Sequence, residues 1–256
     1  MDIGFPHAAL MTTLGVLCGV VAVTAGGGVT IGVPLLMLLG VPATVSVIAV
    51  KVALWASFLT GSIAHAKKQP ALAVAMPWWI WPMCLLGAVA GAQVLAALNP
   101  ERMNGLVLTL LIVSIAGTFH ATRHKAGISA APTRAQRATG FLAMLALAIY
   151  SGFFGAGFGV FLIWALVALH GHSPSSAAAL GTRLSLVIST ASVAVFMWNG
   201  VVPWSVTIPL GIGCAAGGLL GARATQVLGD RFIKTITWVV SILVALKLLV
   251  SSLNDS

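Results

Sequence analysis

The sequence predicts an all-α polytopic membrane protein built from two inverted repeats. Of its 256 residues, 59% are hydrophobic and 7% are charged, whereas about a quarter of the residues in a soluble domain are charged. A glycine-rich stretch occurs twice, at residues 22–36 and 150–166, and each copy precedes an apolar segment that carries one cation. We therefore expect each repeat to contain a broken or re-entrant helical hairpin plus three transmembrane helices.

The first repeat is assigned to residues 1–119. Residues 8–40 form an apolar run that is too long for one ordinary span and too short for two. We expect two short half-helices that meet inside the membrane at Gly26, Gly27 and Gly28, because broken backbone is tolerated there only when it is buried or lines a cavity. Whether the segments are re-entrant or two short spans stays open. Full spans are expected over residues 43–64, 72–98 and 103–119.

Residues 120–137 form the one long polar stretch and are predicted to be a linker between the repeats. The second repeat then covers residues 138–256. A shift of 130 residues superposes Gly27 on Gly157, and the same shift relates two glycines of a packing face to their counterparts, Gly87 to Gly217 and Gly91 to Gly221. A shift of 132 residues superposes Lys51 on Arg183 and Ser57 on Ser189.

An inverted arrangement gathers most of the cations on one membrane face. The positive-inside rule then places the linker in the cytoplasm and both termini outside. The membrane is expected to be a bacterial inner (plasma) membrane. The cations on the linker side are Lys67, Lys68, Arg123, Lys125, Arg134, Arg137, Arg231 and Lys234.

Lys51 and Arg183 are the candidate substrate-binding cations. A charge inside a membrane is costly and marks a functional site by default. Pairing with a carboxylate is the ordinary alternative, but all four acids of the sequence lie in predicted termini or loops. We therefore expect both cations to face a polar cavity that accepts an anion.

The glycine breaks fit the same role, because a helix that begins inside the membrane presents free N–H groups and a positive dipole end to an anion. Close helix packing is the alternative explanation for such glycines. Hydroxyl groups near the cations are further candidates, although small hydroxyls often bond to their own helix. The predicted site therefore adds Gly26, Gly27, Gly28, Gly155, Gly157, Gly159, Thr182, Ser57 and Ser189.

Several function classes are disfavoured. The basic residues are scattered rather than clustered, so no nucleic-acid partner is expected. Cys18, Cys84 and Cys214 lie in predicted spans without a CxxC motif or a nearby histidine pair, so we predict no metal and no cofactor. An enzyme or lipid-handling protein is the different-class alternative, but Ser185 and Ser189 share their span with no His or Asp that could activate them.

The two glycine motifs resemble those of the TauE/SafE sulfite exporters. The first copy reads TAGGGVTIGVPLLMLLG and is followed by AVKV, and the second reads FFGAGFGVFLIWAL and is followed by ALGTRL. Lys51 and Arg183 stand where many members carry a serine. The resemblance covers nearly the whole chain and implies export of sulfite, small organosulfonates or related carboxylates.

We therefore expect a secondary transporter, not an enzyme, that moves a small oxyanion outward by alternating access. An importer or bidirectional carrier of an organosulfonate or carboxylate is the alternative. The expected partners are the anionic substrate and the lipid bilayer. The sequence leaves the oligomeric state open, a homodimer included.

Overall fold

The computed structural model describes residues 5–68, 78–98, 134–168 and 174–224, together with residues 105–107, 109, 110, 112–114 and 116. Within these residues the secondary structure is helical and no strand occurs, so the all-helical prediction is confirmed there. The helices are α1 (Phe5–Ala25), α2 (Gly28–Leu38), α3 (Ala43–Lys68), α4 (Ile80–Ala96), α5 (Arg134–Phe153), α6 (Phe158–Ala168), α7 (Pro174–Trp198) and α8 (Trp204–Ala224).

Three of these helices are long and apolar enough to cross a bilayer. The apolar segments run over Ala43–Ala66 in α3, Ala179–Trp198 in α7 and Trp204–Ala224 in α8. Shorter apolar helices accompany them, as expected of a multi-pass membrane protein. The predicted spans over 72–98 and 103–119 fall partly outside the described residues, and α4 covers the central part of the first.

Two helix breaks interrupt the chain at the glycine-rich stretches. The first separates α1 from α2 at Gly26 and Gly27, and the second separates α5 from α6 over residues 154–157. Gly26, Gly155 and Gly157 have φ values of 67°, 76° and 68°, and this left-handed backbone conformation is costly for any residue with a Cβ atom. The glycines are therefore required by the turns themselves.

The segments on either side of each break differ in length. Helices α1 and α5 have 21 and 20 residues, whereas α2 and α6 have 11 residues each. At 1.5 Å per residue, the longer helices rise about 30 Å and the shorter ones about 16 Å. The apolar parts of the longer helices, Ala8–Thr24 and Thr139–Phe153, are shorter than those of α3, α7 and α8. The chain is therefore broken at the predicted glycines into two helices of unequal length, and whether they are re-entrant or two short spans stays open.

The two breaks contact each other directly. The N–H of Gly159 donates a hydrogen bond of 3.4 Å to the carbonyl oxygen of Gly26. A Cβ atom added to either glycine would overlap the backbone of the other. The two breaks therefore cross at this contact, which lies just before the first turn of α2 and within the first turn of α6.

Small residues bring two further helix pairs into close backbone contact. In the pair α4 and α5, a methyl group on Gly91 would overlap the carbonyl of Ile149, and one on Gly152 would overlap that of Ala88. The packing face predicted at Gly87 and Gly91 is confirmed by these contacts. The pair α1 and α8 is closed in the same way by Gly15, Gly19, Gly213, Gly217 and Gly221.

Helices α3 and α7 pack against each other in antiparallel orientation. Early residues of α3 contact late residues of α7, and late residues of α3 contact early residues of α7. The contacts are Lys51 with the Phe196 ring at 5.4 Å, Trp55 Nε1 with Thr190 Oγ1 at 2.9 Å, and Gly61 with Thr182.

The predicted linker, residues 120–137, lies mostly outside the described residues. Its last four residues are helical, because α5 begins at Arg134. The division into two repeats stays a prediction.

Two adjacent glycines at the first break provide a test of the contact between the two breaks. Gly26→Ala should strongly destabilise the protein, because it combines a positive φ with overlap at Gly159. Gly27→Ala should be tolerated, because Gly27 has φ −102° and the nearest neighbour of an added Cβ lies at 3.4 Å. Thermal unfolding of the two variants in detergent measures the difference. Equal melting temperatures would contradict the crossing.

Candidate functional site

A cavity of about 40 Å³ lies at the crossing of the two breaks. One ordered water needs roughly 10–15 Å³, so the cavity has room for a small ion. Apolar side chains form much of its wall, among them Leu54, Phe58, Phe154, Phe158 and Ile188. The polar groups come from Lys51, from glycine backbone at both breaks, and from Ser151, Ser185, Ser189 and Ser192.

Lys51 is the one described cation that lines this cavity. It stands eight residues after Ala43, the first residue of α3, which is a rise of about 12 Å, and its side chain is only 7% exposed. The Nζ atom donates hydrogen bonds to the carbonyl oxygens of Ser151, at 2.7 Å, and of Gly152. An ammonium group has three N–H donors, so one remains for a ligand.

The carbonyls of Ser151 and Gly152 belong to the last turn of α5, where backbone acceptors have no partner within the helix. A positive charge at this position also complements the negative end of the helix dipole. Lys51 therefore caps α5. None of the described residues is acidic, so no carboxylate in this part of the chain competes with the carbonyls for the ammonium group.

The first turn of α2 faces the cavity with free donors. Gly28 and Val29 line the cavity, and no described residue accepts a hydrogen bond from their N–H groups. The first turn of α6 differs, because Phe158 donates to Gly155 and Gly159 donates to Gly26. Of the two helix starts at the crossing, α2 is the one that presents unpaired N–H groups to an anion.

The cavity serines differ in how their hydroxyls are used. Ser185 donates to the carbonyl of Gly181 at 2.7 Å and Ser192 to that of Ile188 at 3.0 Å, so both bond to their own helix. The hydroxyls of Ser151 and Ser189 make no hydrogen bond to a described residue and remain open to a ligand.

The structure brings about half of the predicted site residues together. Those that line the cavity are Gly26, Gly28, Lys51, Gly155, Gly159 and Ser189. Those that do not are Gly27, Gly157, Ser57, Thr182 and Arg183. Ser57 instead donates to the carbonyl of Gly19 at 3.1 Å and holds α3 against α1.

Arg183 lies far from Lys51. The antiparallel contacts place the segment around Thr182 beside Gly61, ten residues further along α3 than Lys51. Ten residues of helix correspond to about 15 Å. The structure therefore separates the two cations along the α3 and α7 pair rather than bringing them to one site.

Ser151 and the phenylalanines Phe154 and Phe158 line the cavity but were not predicted. They flank the second break, so the glycine motif marks their neighbourhood. Their orientation depends on the crossing with α2, which no local pattern specifies.

Comparison with known proteins gives the family. The sequence model of the sulfite exporter TauE/SafE family matches residues 11–248 of the chain. The chain belongs to the TauE/SafE family. The family resemblance noted from the two glycine motifs is therefore confirmed, and the protein is a membrane transporter by its family.

Similar chains carry names that state transport without a substrate. A probable membrane transporter protein of Haemophilus influenzae is 27% identical over 252 residues, covering 97% of this chain and 96% of the relative. The probable membrane transporter protein ORF9 of a Sinorhizobium species is 28% identical and covers 97% and 94%. YfcA of Escherichia coli K12, also a probable membrane transporter protein, is 24% identical and covers 92% and 87%. No solved structure matches the chain.

The capping role of Lys51 predicts a stability effect that is independent of transport. Lys51→Met leaves two buried carbonyls without their charged donor and should lower the free energy of unfolding by about 1.5–3 kcal/mol. Lys51→Arg keeps a charged donor and should lose less. Denaturant unfolding in micelles measures both variants, and a Met variant as stable as the wild type would show that the cap contributes nothing.

Proposed function

We propose that this TauE/SafE protein is a secondary transporter that exports a small oxyanion, sulfite, through the cavity at the crossing of the two breaks. One observation carries the proposal: Gly28 and Val29, whose N–H groups make no hydrogen bond to a described residue, line the same small cavity as Lys51. Donors converge there from two helices, and none of the described lining residues is an acid.

The environment of the cavity strengthens its attraction for an anion. Coulombic interactions grow as the local dielectric constant falls, and aromatic and aliphatic side chains form much of the wall. Lys51 contributes an amino group that is positively charged when protonated, α2 contributes its positive dipole end, and Ser189 contributes a free hydroxyl. Because two of the three Lys51 donors are already held by α5, the third is fixed in direction before the anion arrives.

Export of such an anion needs no acidic coupling residue. With a negative cell interior, moving one negative charge outward is favoured by about 2.3 kcal/mol per 100 mV. The described helices contain no Asp or Glu, which agrees with transport driven by the membrane potential.

The proposed mechanism is alternating access between inverted repeats. The antiparallel packing of α3 against α7 supports it, because these helices carry the superposed residues Lys51 and Arg183 and run in opposite directions. Packing between the two predicted repeats also supports it. Helix α4 of the first repeat packs on α5 of the second, and α8 of the second packs on α1 of the first. In this orientation the linker is cytoplasmic and the protein resides in the bacterial inner membrane.

The alternative within transport is import or bidirectional flux of an organosulfonate or carboxylate. A cavity of about 40 Å³ favours the smaller inorganic anion. The different-class alternative, a membrane-embedded enzyme, lacks support: no described histidine lines the cavity beside Ser185 or Ser189, and the described residues hold no cluster that could bind a metal.

Sulfite efflux from proteoliposomes under an imposed potential tests the role of the cavity. Lys51→Met should weaken apparent anion affinity roughly 10- to 150-fold, as expected for the loss of a charged hydrogen bond. Ser189→Ala should weaken it about 2- to 10-fold, as expected for a neutral one.

Ser57→Ala is the matched control for Ser189→Ala, because the two serines occupy superposed repeat positions but only Ser189 lines the cavity. It should leave the apparent affinity unchanged. Equal effects of the two serine variants would contradict the site. Sulfoacetate transported in preference to sulfite would instead favour the organosulfonate alternative.

A further inference from the structure

A second polar cluster lies at the other end of the α3 and α7 pair. His65 is only 4% exposed, and its Nε2 atom has no hydrogen-bond partner among the described residues. The hydroxyl of Ser62 is also buried and unpartnered. Residues three apart share one helix face, so these two groups stand side by side near the end of α3. Buried polar groups almost always have partners, so two adjacent exceptions point to a missing ligand.

Arg183 completes this cluster from α7. Arg183 is half-buried and directly follows Thr182, which lies beside Gly61 across the helix pair, and its charge is within electrostatic range of His65. Its guanidinium group makes no hydrogen bond to a described residue. A guanidinium group presents planar donors that match the oxygens of an oxyanion. No described carboxylate lies here to occupy those donors.

The cluster is distinct from the cavity at the crossing. Gly61 and His65 are four residues apart and face the start of α7, where Gly61 contacts Thr182. Lys51 lies about 15 Å away along α3 and contacts the opposite end of α7 at Phe196. The two cations therefore lie at different points along the α3 and α7 pair, and Ser185, two residues after Arg183, belongs to the wall of the cavity.

We propose that Arg183, His65 and Ser62 form a second oxyanion station, which receives the substrate from the side of the membrane at which α3 ends and passes it to the Lys51 cavity. This inference rests on the proposed function. Under the orientation given above, that side is the cytoplasm, so the station is the loading site of an exporter. It provides one charged donor, Arg183, which is partly exposed, and two neutral groups, His65 and Ser62, which are buried.

Substitutions in the two stations should change the KM for sulfite differently, depending on the membrane face from which sulfite is supplied. In oriented proteoliposomes at zero potential, Arg183→Gln should raise the KM for sulfite about tenfold when sulfite is loaded from the α3 end, and leave the KM from the opposite face unchanged. Lys51→Met should raise the KM from both faces. Arg183→Lys should recover part of the loss, because it restores the charge.

Arg223→Gln is the matched control, since Arg223 is an exposed cation on α8 outside both clusters. It should leave the KM unchanged from either face. His65→Leu serves as a second variant if Arg183→Gln does not fold, and the same one-sided effect is expected.

Equal changes from both faces, or none from either, would overturn the second station and leave the Lys51 cavity intact. Absence of sulfite flux and binding in the wild type would instead overturn the proposed function. The two failures are therefore distinguishable.

Discussion

The backbone contact between Gly26 and Gly159 is the constraint on which the rest of the site depends. Two chain breaks can cross this closely only if neither carries a side chain at the contact, and the hydrogen bond from Gly159 to Gly26 fixes their relative position. That hydrogen bond uses a donor at the start of α6. The corresponding donors of α2 are left without acceptors and open onto the cavity. One contact thus decides which helix start is available to a ligand.

The crossing also explains why a lysine is tolerated deep in the protein. A helix that ends inside the membrane leaves carbonyl groups unpaired, and these would be costly without donors. Lys51 supplies them at the end of α5. The same side chain therefore stabilises the second break and brings positive charge to the cavity. Lys51 thus has a structural and a functional role. Unfolding of its variants measures the capping of α5, whereas transport by its variants measures the attraction for the anion.

Much of this arrangement could be predicted from the sequence, and the limits have physical causes. Glycine runs inside apolar segments predicted the breaks and their nearby cavity residues, because few other residues adopt positive φ. Composition and the absence of acids from the apolar segments predicted a membrane protein with buried cations. The sequence also suggested that Lys51 and Arg183 share a site, since they superpose between the repeats. Equivalent positions in two repeats need not be close in space. Because α3 and α7 pack antiparallel, Lys51 and Arg183 lie at opposite ends of the helix pair.

The lysine cap on α5 could not be predicted either, because its acceptors are backbone carbonyls 100 and 101 residues away. Such contacts depend on tertiary packing rather than on local pattern. Crystals of the wild-type protein soaked with selenite, a heavier analogue of sulfite, test whether the anion binds in the Lys51 cavity. The selenite oxygens should accept hydrogen bonds of about 2.9 Å, so anomalous scattering should place selenium about 4 Å from Lys51 Nζ and from the N–H groups of Gly28 and Val29. Selenite that inhibits sulfite transport but gives no peak in this cavity would contradict the account.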